Sequence, residues 1–180
     1  RELAVRGVDA VSGEIGWDQL GVGRSVLNAV VDSMDWQKGG NVNLGIVLLF
    51  APIAAAAGAT LQESGAIGTQ SLRDNLEKVV RAAGPDDTVD IYKAINLAMN
   101  PETLGNVGNL DVTDEGSLER IKDNLISPLE VFENGAERDS ICSEWVTGFQ
   151  ITFNEGLPKL KSNLAKDTVN DAIINTFLHL

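Results

Sequence analysis

The chain has 180 residues, enough for one domain with a sizeable core, and its 43% hydrophobic and 22% charged residues match a folded globular protein, not a disordered one. Its net charge of −12, from 14 Lys and Arg against 26 Asp and Glu, argues against a nucleic-acid surface, which needs a basic stripe. With Cys142 and His179 the only residues of their types, an intrachain disulfide and a cysteine metal cluster are excluded, and a multi-histidine metal site and a Ser-His-Asp triad nearly so.

Val22 to Trp36 carries Val22, Val26, Leu27, Val30, Val31 and Met34 at a 3.6-residue period and reads as an amphipathic helix. Asp32 and Asp35 lie one turn apart near its end and are candidate metal ligands. The polar turn Gly39-Gly40-Asn41-Val42-Asn43 follows. It leads straight into the most apolar segment of the chain, residues 44–61, which is apolar all round, as expected of a buried central helix. As a membrane span the run is short of the usual ~20 apolar residues. Pro52, the small residues Ala54 to Gly58 and the lack of flanking basic clusters weigh against a span too.

Ser71 to Ala83 repeats the amphipathic pattern through Leu72, Leu76, Val79 and Val80, and Gly84-Pro85 stops it. Asp86 and Asp87 are expected to cap a helix running through Val89, Tyr92, Ile95, Leu97 and Met99. The stretch NPETLGNVGNLDVTDEG, residues 100–116, breaks the pattern with three Gly, one Pro and four acidic residues. Helix resumes at Ser117, is punctuated by Pro128, and is expected to continue through Ile141, Cys142, Trp145, Val146, Phe149 and Phe153. Gly156 and Pro158 mark a further boundary, and Asp167 is expected to cap a last helix with the face Ala172, Ile173, Thr176, Phe177 and Leu180. No strand-like alternation and no internal repeat appears. The reading is one all-α domain over residues 1–180. Its first residue is Arg1 and its last helix is still apolar at Leu180, so the domain is expected to be partial, extending past both ends. No signal-peptide pattern is visible, and the expected compartment is the cytoplasm.

Two stretches carry candidate chemistry. Glycines ahead of a helix let the backbone approach a ligand, and free N–H groups at a helix start attract anions. Asn41 and Asn43 each add an amide donor and a carbonyl acceptor. The plainer alternative is that Asn43 caps the buried helix and the glycines form its entry turn. The segment matches neither the phosphate loop with Gly-Lys-Ser/Thr nor the dinucleotide fingerprint. In GAERDSICSEW, helical spacing would put Glu137, Ser140 and Glu144 on one face as a metal-binding strip, with Arg138 free to meet phosphate. The plainer alternative here is a solvated polar face. Cys142, at helical spacing with Trp145, Val146 and Phe149, reads as core.

The run GGNVNLGIVLLFAPIAAAAG resembles the signature of the triphosphoribosyl-dephospho-CoA synthase family, in which a Gly-Val-Asn-Thr-His-Lys-Gly turn enters a hydrophobic helix ending in Ala-Ala-Ala-Gly. AINLAMNPETLGNVGNLDV and GAERDSICSEWVTGFQITFNEGLPKL are similar to a divergent, largely archaeal branch of that family. The resemblance spans most of the chain. It implies an all-α fold and transfer of the triphosphoribosyl part of ATP to 3′-dephospho-CoA with release of adenine, supported by Mg²⁺. The partners it implies are nucleotide and CoA-like small molecules, with no nucleic acid and no membrane, in a protein free to form a homo-oligomer. Gly40, Asn41 and Gly45 match the family turn, while Asn43 and Leu44 stand where the signature has His and Lys; Lys38 is the substitute cation. Carried onto this chain, Lys38, Gly39, Gly40, Asn41, Asn43, Gly45 and Arg138 would bind the nucleotide. Glu137 and Asp139 would be the catalytic carboxylates, and Asp32, Asp35, Glu137 and Glu144 would hold the metal. The competing expectation is a non-catalytic helical binding or assembly protein.

Overall fold

The apolar run forms a 21-residue helix, and the other elements are arranged about it. The computed structural model describes residues 1–36, 43–99, 112 and 114–180; among these the regular elements are all helical, with no strand. In chain order they are α1 (Glu2–Ser12), a 3-10 turn (Trp17–Gln19), α2 (Val22–Trp36), α3 (Leu44–Ser64), α4 (Thr69–Ala82), α5 (Pro85–Ala98), α6 (Glu115–Asp123), α7 (Pro128–Glu133), α8 (Ser140–Thr147), a π-helical turn (Ile151–Gly156), α9 (Leu157–Leu164) and α10 (Val169–Phe177).

Packing explains the composition of α3. It contacts α1, α2, α4, α5 and α8 and buries Leu44, Leu48, Ala51, Pro52, Ala55, Ala56, Gly58, Ala59 and Thr60. Its length and hydropathy would suffice to cross a membrane; in the fold one side of it enters the core, and Ile46, Phe50 and Leu61 stay exposed. The small residues make a groove for α1, an element with no counterpart in the sequence reading. A Cβ at Gly7 would run into the Ala55 carbonyl, and one at Gly58 into the Ala4 carbonyl, so the two backbones meet where only hydrogen fits. Pro52 sits inside α3 without a break. Lacking an N–H, it leaves the Leu48 carbonyl without its ordinary partner four residues on. The buried Trp145 indole N–H, on α8, donates to that carbonyl at 3.1 Å.

Four contacts fix the relative directions of the central helices. Gly23, at the start of α2, donates its N–H to the Asp87 carboxylate in the first turn of α5 at 2.7 Å, so α2 and α5 run side by side in one direction. Asn43, just before α3, meets Ser33, near the end of α2; α3 therefore returns antiparallel to α2. Ile141 lies against Gly45 and Trp145 reaches Leu48, so α8 runs parallel to α3.

Several expected boundaries move. α5 begins on the cap Gly84 with Pro85 in its first turn; Asp87, expected at the cap, instead reaches back to the Gly84 N–H at 3.1 Å. The fixed φ of Pro85 suits a first helical position and sets the start there. The long helix expected from Ser117 is cut into α6, α7 and α8. Leu125 adopts φ 55°, Ser127 caps α7 in a reciprocal box with Glu130, and Asp139 caps α8. At the far end, Gly148 and Phe149 both take left-handed backbone and close α8. Gly156 ends the π-helical turn and stands at the cap position of α9, with Pro158 in the first turn as expected, although the backbone stays helical across the junction. Thr168, not Asp167, caps α10. α9 and α10 pack on each other and leave Phe177 and Leu178 about three-quarters exposed.

Candidate functional site

At one pole of the molecule the end of α2 and the starts of α3 and α8 come together. Their directions matter electrostatically. A helix start carries roughly +0.5 of an elementary charge and a helix end roughly −0.5. Two positive ends from α3 and α8 thus stand beside one negative end from α2.

Asn43 occupies the cap position of α3, but its side chain makes no capping hydrogen bond. Its backbone carbonyl accepts from the Val47 N–H at 2.9 Å, while the side-chain amide donates sideways to the Ser33 hydroxyl at 2.8 Å. The plainer reading of Asn43 as a side-chain cap is therefore corrected: the amide ties α2 to α3. Ser33 is a contact the sequence reading missed; its only sequence signal is a hydroxyl between Asp32 and Asp35 in the last turns of α2. Asp32 and Asp35 are both exposed there. Gly45 packs under α8, where an added Cβ would lie 2.7 Å from the Ile141 Cδ1. Lys38, Gly39, Gly40 and Asn41 lie outside the described residues.

The acidic stretch before α8 divides differently from the helical spacing. Glu137 and Arg138 sit exposed in the turn that precedes the helix, not on it. Asp139 is the cap: its Oδ1 accepts from the Ile141 N–H at 2.8 Å and the Cys142 N–H at 3.0 Å. Glu144 is buried on another side of α8, where its carboxylate accepts from the Ile151 N–H at 2.7 Å, the Thr152 N–H at 3.0 Å and the Thr152 hydroxyl. The expected strip of Glu137, Ser140 and Glu144 does not form, because the cap at Asp139 starts the helix after Glu137. Glu144 instead fastens the π-helical turn to α8. The Cys142 thiol is pushed up to about 12, first by burial and then by Asp139 nearby, and is inert at neutral pH.

Among the described residues no three His, Cys, Asp or Glu side chains converge to form a metal cage. A Mg²⁺ ion bound along with a substrate's phosphates needs only one or two protein carboxylates. Asp32 and Asp35, exposed at the negative end of α2, fit that smaller demand.

The family model for CitG, ATP:dephospho-CoA triphosphoribosyl transferase, matches residues 2–180. The chain belongs to this family. CitG membership makes it a transferase, acting in ATP-dependent phosphoribosyl transfer for cofactor biosynthesis, and sets aside the non-catalytic alternative. The fold is also similar to the crystal structure of an Archaeoglobus fulgidus protein described as a triphosphoribosyl-dephospho-CoA synthase, with a TM-score of 0.66 and 22% identity over 98% of this chain and 67% of that one. No curated protein matches.

Proposed function

We propose that this CitG-family chain moves the triphosphoribosyl group of ATP onto a ribose hydroxyl of 3′-dephospho-CoA, releasing adenine, at the pole formed by α2, α3 and α8. The observation that carries the reading is the side-by-side placement of the α3 and α8 starts, with Ile141 against Gly45. The start of a long buried helix such as α3 suits triphosphate oxygens electrostatically, while the N–H groups at the α8 start are already held by Asp139.

The reaction breaks the C1′–N9 bond of ATP, with the bonding pair leaving on adenine, while an acceptor hydroxyl oxygen bonds to C1′ and gives up its proton. Positive charge develops on the ribose ring along the way, and nearby carboxylates stabilise it. Glu137, exposed beside the start of α8, is the group proposed to take the hydroxyl proton. Asp139 keeps the start of α8 in place through its two backbone contacts, so its part is positioning. Arg138 is the neighbouring cation for phosphate. Asp32 and Asp35 would hold Mg²⁺, which when bound supplies charge neutralisation to the triphosphate. The Asn43–Ser33 bond keeps that acidic helix end next to the α3 start.

The test is incubation with ATP, Mg²⁺ and dephospho-CoA, with adenine followed by chromatography. Adenine release that falls at least tenfold in Glu137→Gln, with unchanged melting, is the expected outcome. Activity equal to the parent in Glu137→Gln removes that residue from the reaction, and no adenine at all rejects the transfer.

A further inference from the structure

A cavity of about 440 Å³ opens at the other end of α2, bounded by the 3-10 turn, α2, α5 and α6. We propose that it is a second anion site, binding a phosphate-bearing ligand through Arg24, Lys93 and Lys122. These three cations come from α2, α5 and α6, and all line the same opening in a chain whose net charge is −12.

Two of these cations share one buried carboxylate as their partner. The Asp90 side chain, only 6% exposed, accepts from Arg24 Nε at 2.8 Å and lies 3.3 Å from Lys93 Nζ. Arg24 and Lys93 are themselves 63% and 47% exposed. The negative partner is thus buried behind and the positive groups stand in front. Held from the back, each cation keeps further N–H donors for a ligand: the terminal fork of Arg24 and the remaining hydrogens of the Lys93 ammonium. Lys122 has no ion-pair partner among the described residues and adds a third, uncommitted charge.

Three other aspartates line the cavity. The Asp87 oxygens are engaged by the Gly23 and Gly84 N–H groups. Asp18 and Asp86 are exposed and leave the lining with four carboxylates against three cations, so binding rests on directed N–H donors and not on net charge. A diphosphate or a phosphate monoester, with several oxygens to share among three donors, fits this geometry better than a carboxylate does. The cavity volume lies within the usual range for small-molecule sites. Asn43 and Ser33 stand at the far end of α2, so this site is separate from the pole assigned to ATP and holds whether or not that assignment does.

The experiment is a titration of the protein with inorganic pyrophosphate in EDTA at low salt, followed by amide NMR, on the parent, Lys122→Met, Lys93→Met/Lys122→Met and Asn43→Ala. Saturable shifts at Gly21, Arg24, Lys93 and Lys122 are expected, with affinity weakened about tenfold or more in the double variant and unchanged in Asn43→Ala. Lys122→Met breaks no side-chain hydrogen bond or ion pair among the described residues, which keeps the test independent of folding. Absence of shifts at these residues in the parent overturns the site, and so does affinity in both lysine variants equal to that of the parent. Loss of these shifts in Asn43→Ala would instead assign them to the opposite pole and overturn the separation.

Discussion

Trp145 shows how one side chain repairs a local conflict. Pro52 deprives the Leu48 carbonyl of its helical donor, and the indole N–H replaces it inside the core. Trp145 also meets Phe132 edge-on at 5.2 Å, so Trp145→Phe loses both packing and the hydrogen bond. A double-mutant cycle separates them. In the Pro52→Ala background the helix can satisfy Leu48 itself, and the cost of Trp145→Phe is expected to fall by about 1–3 kcal/mol, the penalty for an unsatisfied buried carbonyl. Equal costs in both backgrounds by urea unfolding would show that the indole N–H contributes nothing.

Asp87 makes a pH prediction at the same scale. Burial is the main cause raising its pKa, with Asp90 and Asp86 adding to the rise against the lowering effect of the Gly23 and Gly84 N–H groups. A raised folded-state pKa means the protonated form is favoured in the fold. Its stabilising contribution is full below the unfolded value of about 3.9 and is lost as pH rises through the folded value. Asp87→Asn is expected to flatten the dependence of unfolding midpoint on pH just above 4. An unchanged slope in the variant would contradict this.

At the scale of elements, the contact of α1 with α3 rests on two glycines. Gly to Ala inside a helix ordinarily stabilises by about 0.5–1 kcal/mol. At Gly58 the new Cβ would strike the Ala4 carbonyl, so Gly58→Ala is expected to destabilise by about 1–3 kcal/mol instead. A higher melting temperature in Gly58→Ala would mean that α1 does not pack where it is placed. The same elements show what was legible in the sequence. The bounds of α2 and the burial of α3 follow directly from periodicity and from unbroken hydropathy. α1 was not legible, because its pattern is short and its key residue, Gly7, signals nothing until the Ala55 carbonyl is opposite it. The single helix expected through Glu137 and Glu144 failed because a side-chain cap, Asp139, outweighs periodicity locally. For Asp90, sequence spacing shows neither its burial nor the two cations around it.

For the whole molecule, helix direction organises charge. α2 and α5 run one way, α3 and α8 relate to them so that the α2 end meets two helix starts, and the Asn43–Ser33 bond joins the opposed ends. In the sequence, the Gly-Asn turn and GAERDSICSEW lie almost a hundred residues apart, and the fold brings their helices into contact at Gly45 and Ile141. The proposed ATP site rests on that meeting more than on any single residue. Because the attraction there is electrostatic and partly exposed, ATP affinity is expected to fall as salt rises.

The most direct measurement is an ATP titration with Mg²⁺ followed at backbone amides. Saturable shifts at Gly45, Ile46, Ile141 and Ser33, accompanied by adenine release once dephospho-CoA is added, are what the proposed site predicts. Adenine release with those amides unmoved, and shifts gathered elsewhere, would place the reaction away from the α2, α3 and α8 pole and contradict it.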